Sequence, residues 1–87
     1  MKVTILLVED EEGLRSYIKS ELVFEDYEVI AVSSGEDALA VFRQRTADIS
    51  LIILDWMLPG VDGLGVIRRI RKHYDVPIMM MTARDYV

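Results

Sequence analysis

The chain contains no cysteine, which excludes a disulfide framework and a thiolate metal site. No apolar run approaches the ~20 residues that a membrane-spanning helix needs, and the first apolar run ends in acids, unlike a secretory signal. Basic residues are outnumbered, with 10 Lys and Arg against 15 Asp and Glu and a net charge of −5. Since phosphate contacts need clustered cations, this balance argues against nucleic-acid binding by this segment. The lack of a membrane-spanning run and of a secretory signal predicts a cytoplasmic protein.

Proline and glycine are also scarce, at 2 and 5 residues, while 52% of the chain is hydrophobic and 29% is charged. This composition is typical of a folded globular protein and argues against a disordered chain. With 87 residues the chain has room for one domain at most, and its stability without partners is expected to be marginal.

Short apolar runs alternate with amphipathic segments along the chain. Four predicted strands lie at residues 3–8, 27–32, 51–54 and 76–81. Three helices are predicted between them, with apolar faces formed by Leu14, Ile18 and Leu22, by Ala38, Val41 and Phe42, and by Leu64, Ile67, Ile70 and Tyr74. Strands that alternate with helices through short connections predict parallel pairing and right-handed crossovers, which is the doubly wound α/β class.

Polar residues before two of the helices predict where those helices begin. Glu11 and Glu12 favour a helix start through the macrodipole. Ser33 and Ser34 are both candidate N-caps, and Ser33 with Glu36 fits the capping-box spacing.

Acidic residues stand where two of the predicted strands end. Glu9 and Asp10 follow the first strand and Asp55 follows the third, while the hydroxyl residue Thr82 follows the fourth. Parallel strands bring their carboxyl ends to one edge of a sheet, where ligands bind in this class of fold. Clustered carboxylates repel one another and favour a hard divalent cation, Mg²⁺ above all. A cation at such a site also makes one carboxylate usable as a nucleophile toward a phosphoryl group.

The acids after the first strand have a second interpretation, because an acid at a helix start also stabilises the helix, either as a cap or through the helix dipole. That interpretation remains open for residues 9–12. Asp55 is different, since it closes a fully apolar strand and precedes a loop with Pro59 and Gly60. A carboxylate there is costly unless it binds something.

Three segments carry a family resemblance: ILLVED at 5–10, IILDWMLPGVDG at 52–63 and VPIMMMTARD at 76–85. They resemble the receiver domains of two-component response regulators, in particular the branch of transcription factors typified by OmpR and PhoB. The resemblance implies a flavodoxin-like sheet in which the first four strands take the order 2-1-3-4. It also implies a signalling domain rather than an enzyme, with a sensor histidine kinase as phosphodonor.

The resemblance assigns roles to individual residues. Asp55 matches the phosphoacceptor, and Glu9 and Asp10 match the acidic pair around Mg²⁺. The backbone carbonyl of Met57 matches a further metal ligand, and Thr82 matches the hydroxyl that senses the phosphoryl group.

The family pattern continues with a helix, a fifth strand and a last helix, which carry a lysine and a switch aromatic. The chain stops at Val87, so the prediction is that residues 1–87 form the N-terminal portion of a receiver domain. An uncovered apolar fourth strand would invite pairing with another chain, which predicts a homo-oligomer. An alternative function is therefore a signalling-incompetent fragment that mainly self-associates.

Two other classes fit the residues less well. A haloacid-dehalogenase-type phosphatase requires a second Asp, as general acid, two residues after the nucleophile, but Met57 occupies that position. A flavodoxin would need a phosphate-binding loop after the first strand, where residues 9–12 would repel a flavin phosphate.

Elsewhere, His73 and the basic run 68–72 are expected at the surface, and Met79 to Met81 are expected to fill the core.

Overall fold

The computed structural model describes residues 2–55, 58, 60 and 62–81, and these form alternating strands and helices. The elements are β1 (Thr4–Val8), α1 (Glu12–Phe24), β2 (Glu28–Val32), α2 (Gly35–Gln44), β3 (Ile49–Asp55), α3 (Gly63–Arg71) and β4 (Ile78–Met81). The predicted element order is confirmed. β3 is longer than the apolar run that predicted it, because the strand continues through the exposed polar residue Ser50.

The four strands form one parallel sheet in the order β2-β1-β3-β4. This is the order that the family resemblance implies, with β1 and β3 in the interior of the sheet. β1 is buried along its whole length, as its unbroken apolar run predicts for a parallel strand covered on both faces. The strand order reverses beside β1, which is where such sheets bind their ligands.

The side chains of the inner strands alternate between two cores. Leu6 and Val8 of β1, with Ile52 and Leu54 of β3, face the layer formed by α2 and α3. Their neighbours Ile5, Leu7 and Ile53 face α1 on the other side of the sheet, where Ile18 and Leu22 cover them. Both faces of the inner strands are therefore fixed by apolar packing, and this packing holds the ends of β1 and β3 at one level.

The prediction for the buried face of α3 was partly wrong. The buried residues of the helix are Gly63, Val66 and Ile70, whereas Leu64 is 41% exposed. Residues 63, 66 and 70 are three and four positions apart and share one face, while Leu64 is turned away from that face by about 100°. Tyr74 lies beyond the end of the helix and is partly exposed, although its ring packs edge-on against Phe42.

Two smaller predictions were each partly wrong, since Ser34 but not Ser33 is an N-cap, and Met80 and Met81 but not Met79 pack against the cores. The N-cap of α2 is Ser34, whose hydroxyl accepts a hydrogen bond from the Asp37 amide, so the capping box of Ser33 with Glu36 does not form. Met79 is 54% exposed, because side chains alternate along a strand and its neighbours Met80 and Met81 take the two packed positions. The surface positions predicted for His73 and for residues 68, 69, 71 and 72 are confirmed.

Within the described ranges 2–55, 58, 60 and 62–81, none of the helices is both long and apolar enough to cross a membrane.

Candidate metal centre

The register between β1 and β3 brings two acids to the same edge of the sheet. Val8 pairs with Leu54, so the residues that follow them, Glu9 and Asp55, emerge side by side at the carboxyl ends of the strands. The Glu9 amide donates to the carbonyl of Val32, which continues the ladder with β2 past the end of β1. Glu9 is thereby held in line with the strand instead of turning away with the loop.

Three carboxylates meet at this edge. One oxygen from each of Glu9, Asp10 and Asp55 lies within 4.8 Å of the others. Glu9 is only 2% exposed and Asp55 only 8%, whereas Asp10 is exposed to solvent. The site therefore has a buried side formed by two carboxylates and an open side at Asp10. The structure brings together the three acids that the strand-end argument selected.

The Glu9 carboxyl shows the electrostatic cost of this arrangement. Its pKa is raised to about 7, chiefly by burial, which disfavours the charged form. The charge of Asp55 and hydrogen bonds with Asp55 and Asp10 contribute to this rise, while a hydrogen bond from the Glu11 amide opposes it. Glu9 thus lies in surroundings that favour either a proton or a cation at this position.

The chain after β1 turns directly into α1, and Glu11 caps that helix. Its carboxylate accepts hydrogen bonds from the amides of Gly13 at 3.0 Å and Leu14 at 2.7 Å. The two interpretations of the acidic run therefore apply to different residues. Glu11 caps the helix, whereas Glu9 and Asp10 belong to the carboxylate cluster with Asp55.

Arg15 supports the same corner in a way that the sequence reasoning missed. Its guanidinium donates to the backbone carbonyl of Glu9 at 2.9 Å and, at the longer distance of 3.4 Å, to that of Asp10. The sequence places Arg15 on an ordinary polar face of an amphipathic helix. Nothing in that pattern indicates that the side chain reaches back to the preceding loop.

Two predicted site residues lie outside the described residues, Met57 and Thr82. Asp55 pairs in register with Met81, the residue before Thr82 in the chain. On the other side of the loop, Asp62 caps α3 by accepting a hydrogen bond from the amide of Gly65 at 2.9 Å. Both described ends of the loop are therefore anchored in regular structure.

The donor set suits a hard divalent cation. All three groups offer carboxylate oxygen, which Mg²⁺ prefers, and Mg²⁺ commonly combines one or two protein carboxylates with bound waters. The exposed position of Asp10 leaves one side of the site open to such waters and to an incoming ligand. The residues present therefore fit a magnesium ion.

Comparison with known proteins gives a family match. The family model described as the response regulator receiver domain matches residues 5–87. The probable transcriptional regulator ycf27 of Pyropia yezoensis is 48% identical over 82 residues, which cover 94% of this chain and 33% of that protein. The chain thus spans about a third of the length of this curated relative.

Solved structures give the same result. A response regulator receiver domain protein from Clostridium thermocellum superposes with a TM-score of 0.88 at 27% identity, over 92% of this chain and 64% of that one. The response regulator protein TrrA, solved in complex with the histidine kinase ThkA, is similar with a TM-score of 0.84 at 42% identity, over 95% of this chain and 70% of the other.

Because the family model covers nearly all of the sequence, this chain belongs to the response regulator receiver domain family. The flavodoxin-like fold implied by the sequence resemblance is confirmed. The prediction that residues 1–87 are only the N-terminal portion of the domain stays a prediction.

Proposed function

We propose that this chain is a phosphoacceptor domain of a two-component system, in which the Asp55 carboxylate takes a phosphoryl group. The observation that carries the proposal is the meeting of Glu9, Asp10 and Asp55 at the ends of β1 and β3. A structural explanation by capping does not account for Asp55, because the described helix caps nearest to it are Glu11 and Asp62.

Asp55 is suited to act as the nucleophile because the end of an inner strand, in register with β4, fixes the position of its backbone. One of its carboxylate oxygens would attack the phosphorus of a phosphohistidine, the phosphorus–nitrogen bond of the donor would break, and the imidazole nitrogen would leave with the bonding electrons. The product is an acyl phosphate on Asp55. Positioning and electrostatics supply most of the rate in reactions of this kind.

Glu9, Asp10 and Asp55 would hold the magnesium ion, with the Met57 carbonyl as the further ligand that the family resemblance implies. The ion supplies charge neutralisation for the phosphoryl group, which would otherwise be repelled by three carboxylates. Glu9 and Asp55 provide the buried side of the site, and Asp10 faces the solvent from which the donor approaches. Thr82, by the same resemblance, is the proposed hydroxyl that contacts the phosphoryl group.

A histidine kinase is the proposed phosphodonor. TrrA, a similar response regulator protein, was solved in complex with such a kinase, which supports this choice. The name of the Pyropia relative suggests that the readout is control of transcription. Self-association through the edge of β4 stays a separate prediction, and no observation on the described residues favours the signalling-incompetent alternative.

The proposal is tested by incubating the protein with acetyl phosphate and MgCl₂ and measuring the intact mass. We expect a mass increase of one phosphoryl group that requires the metal and is lost in Asp55→Asn. Asp48→Asn is a matched control, because Asp48 is an exposed acid just before β3, at the opposite edge of the sheet from Asp55. Absence of an adduct in a folded, magnesium-bound protein would contradict the proposal, as would an adduct that survives in Asp55→Asn.

A further inference from the structure

A groove of about 410 Å³ lies between the carboxyl-terminal parts of α2 and α3. Its apolar surface is formed by Leu39 and Phe42 of α2, by Ile70 of α3 and by Tyr74. Phe42 and Tyr74 pack edge-to-face with ring centroids 5.1 Å apart, so the two rings form one continuous part of this surface. The volume is large enough for one bulky apolar side chain.

Three cations, Arg43, Arg69 and Lys72, line the rim of the groove together with His73, and all four residues are exposed. Within the part of the chain that the structure describes, none of these four has an acidic side chain within salt-bridge distance. The helix dipole favours cations in a last turn, but it does not account for cations from two helices converging on one apolar surface. An acidic partner with an apolar anchor is complementary to this groove.

The same chain presents such an anchor at the end of α1. Phe24 is 83% exposed, the most exposed of the large hydrophobic side chains that the structure describes. Glu21 stands three positions before Phe24 and is its neighbour on the helix surface, and Glu25 is the C-cap residue that follows Phe24 directly; both glutamates are exposed. We call Glu21, Phe24 and Glu25 the acidic knob, and the groove between α2 and α3 the basic groove.

The knob and the groove of one molecule lie on opposite faces of the sheet, because α1 packs on one core and α2 and α3 pack on the other. They cannot meet within one chain. We propose that the acidic knob of one copy docks in the basic groove of a second copy, with the Phe24 ring on the apolar surface and the two glutamates among the rim cations. The two surfaces differ, so the contact is head-to-tail and leaves each dimer with one free knob and one free groove.

The first test is sedimentation equilibrium of the 87-residue protein across a range of concentrations at low and high NaCl. We expect self-association that weakens as salt is added, because rim charges are screened. Phe24→Asp and Arg69→Glu should each raise the dissociation constant by about tenfold or more. Arg68→Glu is the matched control, since Arg68 is the exposed neighbour of Arg69 on α3 but does not line the groove, and it should leave the constant within about twofold.

The second test mixes two variants that are each disabled on one side. Phe24→Asp keeps an intact groove, and Arg43→Glu/Arg69→Glu keeps an intact knob. Each alone should be monomeric, and an equimolar mixture should form a one-to-one heterodimer that does not grow further. Formation of this heterodimer also shows that both variants are folded.

Three results would overturn the proposal. The first is a wild-type protein that stays monomeric at low salt at every concentration. The second is association that is insensitive to Arg69→Glu, which would indicate another surface such as the edge of β4. The third is a mixture of the two variants that contains only monomers, while circular dichroism shows both to be folded.

Discussion

The Glu9 carboxylate lies beside the Asp55 carboxylate at the ends of two neighbouring parallel strands, with ligand oxygens within 4.8 Å. Burial and the presence of Asp55 together raise the pKa of Glu9 to about 7. This pair connects the fold with the proposed chemistry, because the register of β1 against β3 places the two carboxylates side by side at the end of two inner strands, where Glu9 is buried.

The first prediction concerns the pH dependence of stability without metal. Below the ordinary Glu pKa of 4.5, Glu9 is protonated in both the folded and the unfolded chain. Between 4.5 and about 7 the folded state holds a proton that the unfolded state has lost, so the free energy of unfolding falls as pH rises through this window. The raised pKa of Glu9 corresponds to a loss of roughly 3 kcal/mol at most.

Urea unfolding at pH 5, 6, 7 and 8 in the presence of a chelator measures this loss. MgCl₂ should reverse it, because the cation stabilises the ionised carboxylate, and the stabilisation by metal should be larger at pH 8 than at pH 6. Glu9→Gln cannot titrate and should remove most of the metal-free slope, whereas the exposed Glu12→Gln should leave it. A slope that persists unchanged in Glu9→Gln would show that another group is responsible.

The second prediction concerns Arg15. Its guanidinium donates to the carbonyls of Glu9 and Asp10, so Arg15→Ala should lower the free energy of unfolding by about 1 to 2 kcal/mol. Loss of these two hydrogen bonds should also leave the backbone at Glu9 and Asp10 less well held, so Mg²⁺ binding should weaken several-fold in calorimetric titration. Lys19→Ala is the control, because Lys19 is an exposed cation on the same helix. Equal effects of the two substitutions on metal affinity would mean that Arg15 acts only through overall charge.

The third prediction concerns the buried face of α3. Val66→Ala removes methyl groups from a side chain that is 0% exposed and should cost about 1 to 3 kcal/mol in thermal or urea unfolding. Leu64→Ala removes a larger group from the partly exposed side of the same helix and should cost less than about 1 kcal/mol. The reverse order would place Leu64 in the core and refute the orientation of the helix.

The fourth prediction concerns Gly60, which has a φ of 70°. Gly60→Ala should destabilise the protein by about 1 to 2 kcal/mol, because residues with a Cβ are strained in this region. The added Cβ would also lie 2.7 Å from a carboxylate oxygen of Glu36, but that oxygen is the end of a flexible side chain and can move. Gly60→Ala should therefore cost nearly as much in a Glu36→Ala background. A loss that disappears there would assign the cost to the clash instead.

Much of the fold follows from local patterns in the sequence. The apolar runs before Glu9 and before Asp55 predict two buried parallel strands, and parallel strands end at one edge, so the meeting of the acids could be predicted without coordinates. The face of α3 could not, because Leu64, Val66, Ile67 and Ile70 are all apolar and offer overlapping faces. Packing against α2 and the sheet decides between them.

The supporting contacts of the site were less accessible to sequence reasoning. Glu9 to Glu12 are four consecutive acids, and only the geometry separates the cap at Glu11 from the cluster residues Glu9 and Asp10. Arg15 has the spacing of a solvent-facing helix residue. Its role depends on how far a long side chain reaches in three dimensions, which periodicity does not record.

The most direct test of the central claim is a titration of the ¹⁵N-labelled protein with Mn²⁺, which replaces Mg²⁺ at oxygen sites and broadens nearby amide signals. We predict that the amides of Glu9, Asp10 and Asp55 broaden first, and that excess MgCl₂ restores them. Glu21 and Glu25, two exposed acids at the far end of α1, should be unaffected at the same Mn²⁺ concentration. Broadening that begins at those glutamates, or spreads evenly over the acidic surface, would contradict a metal site at the ends of β1 and β3.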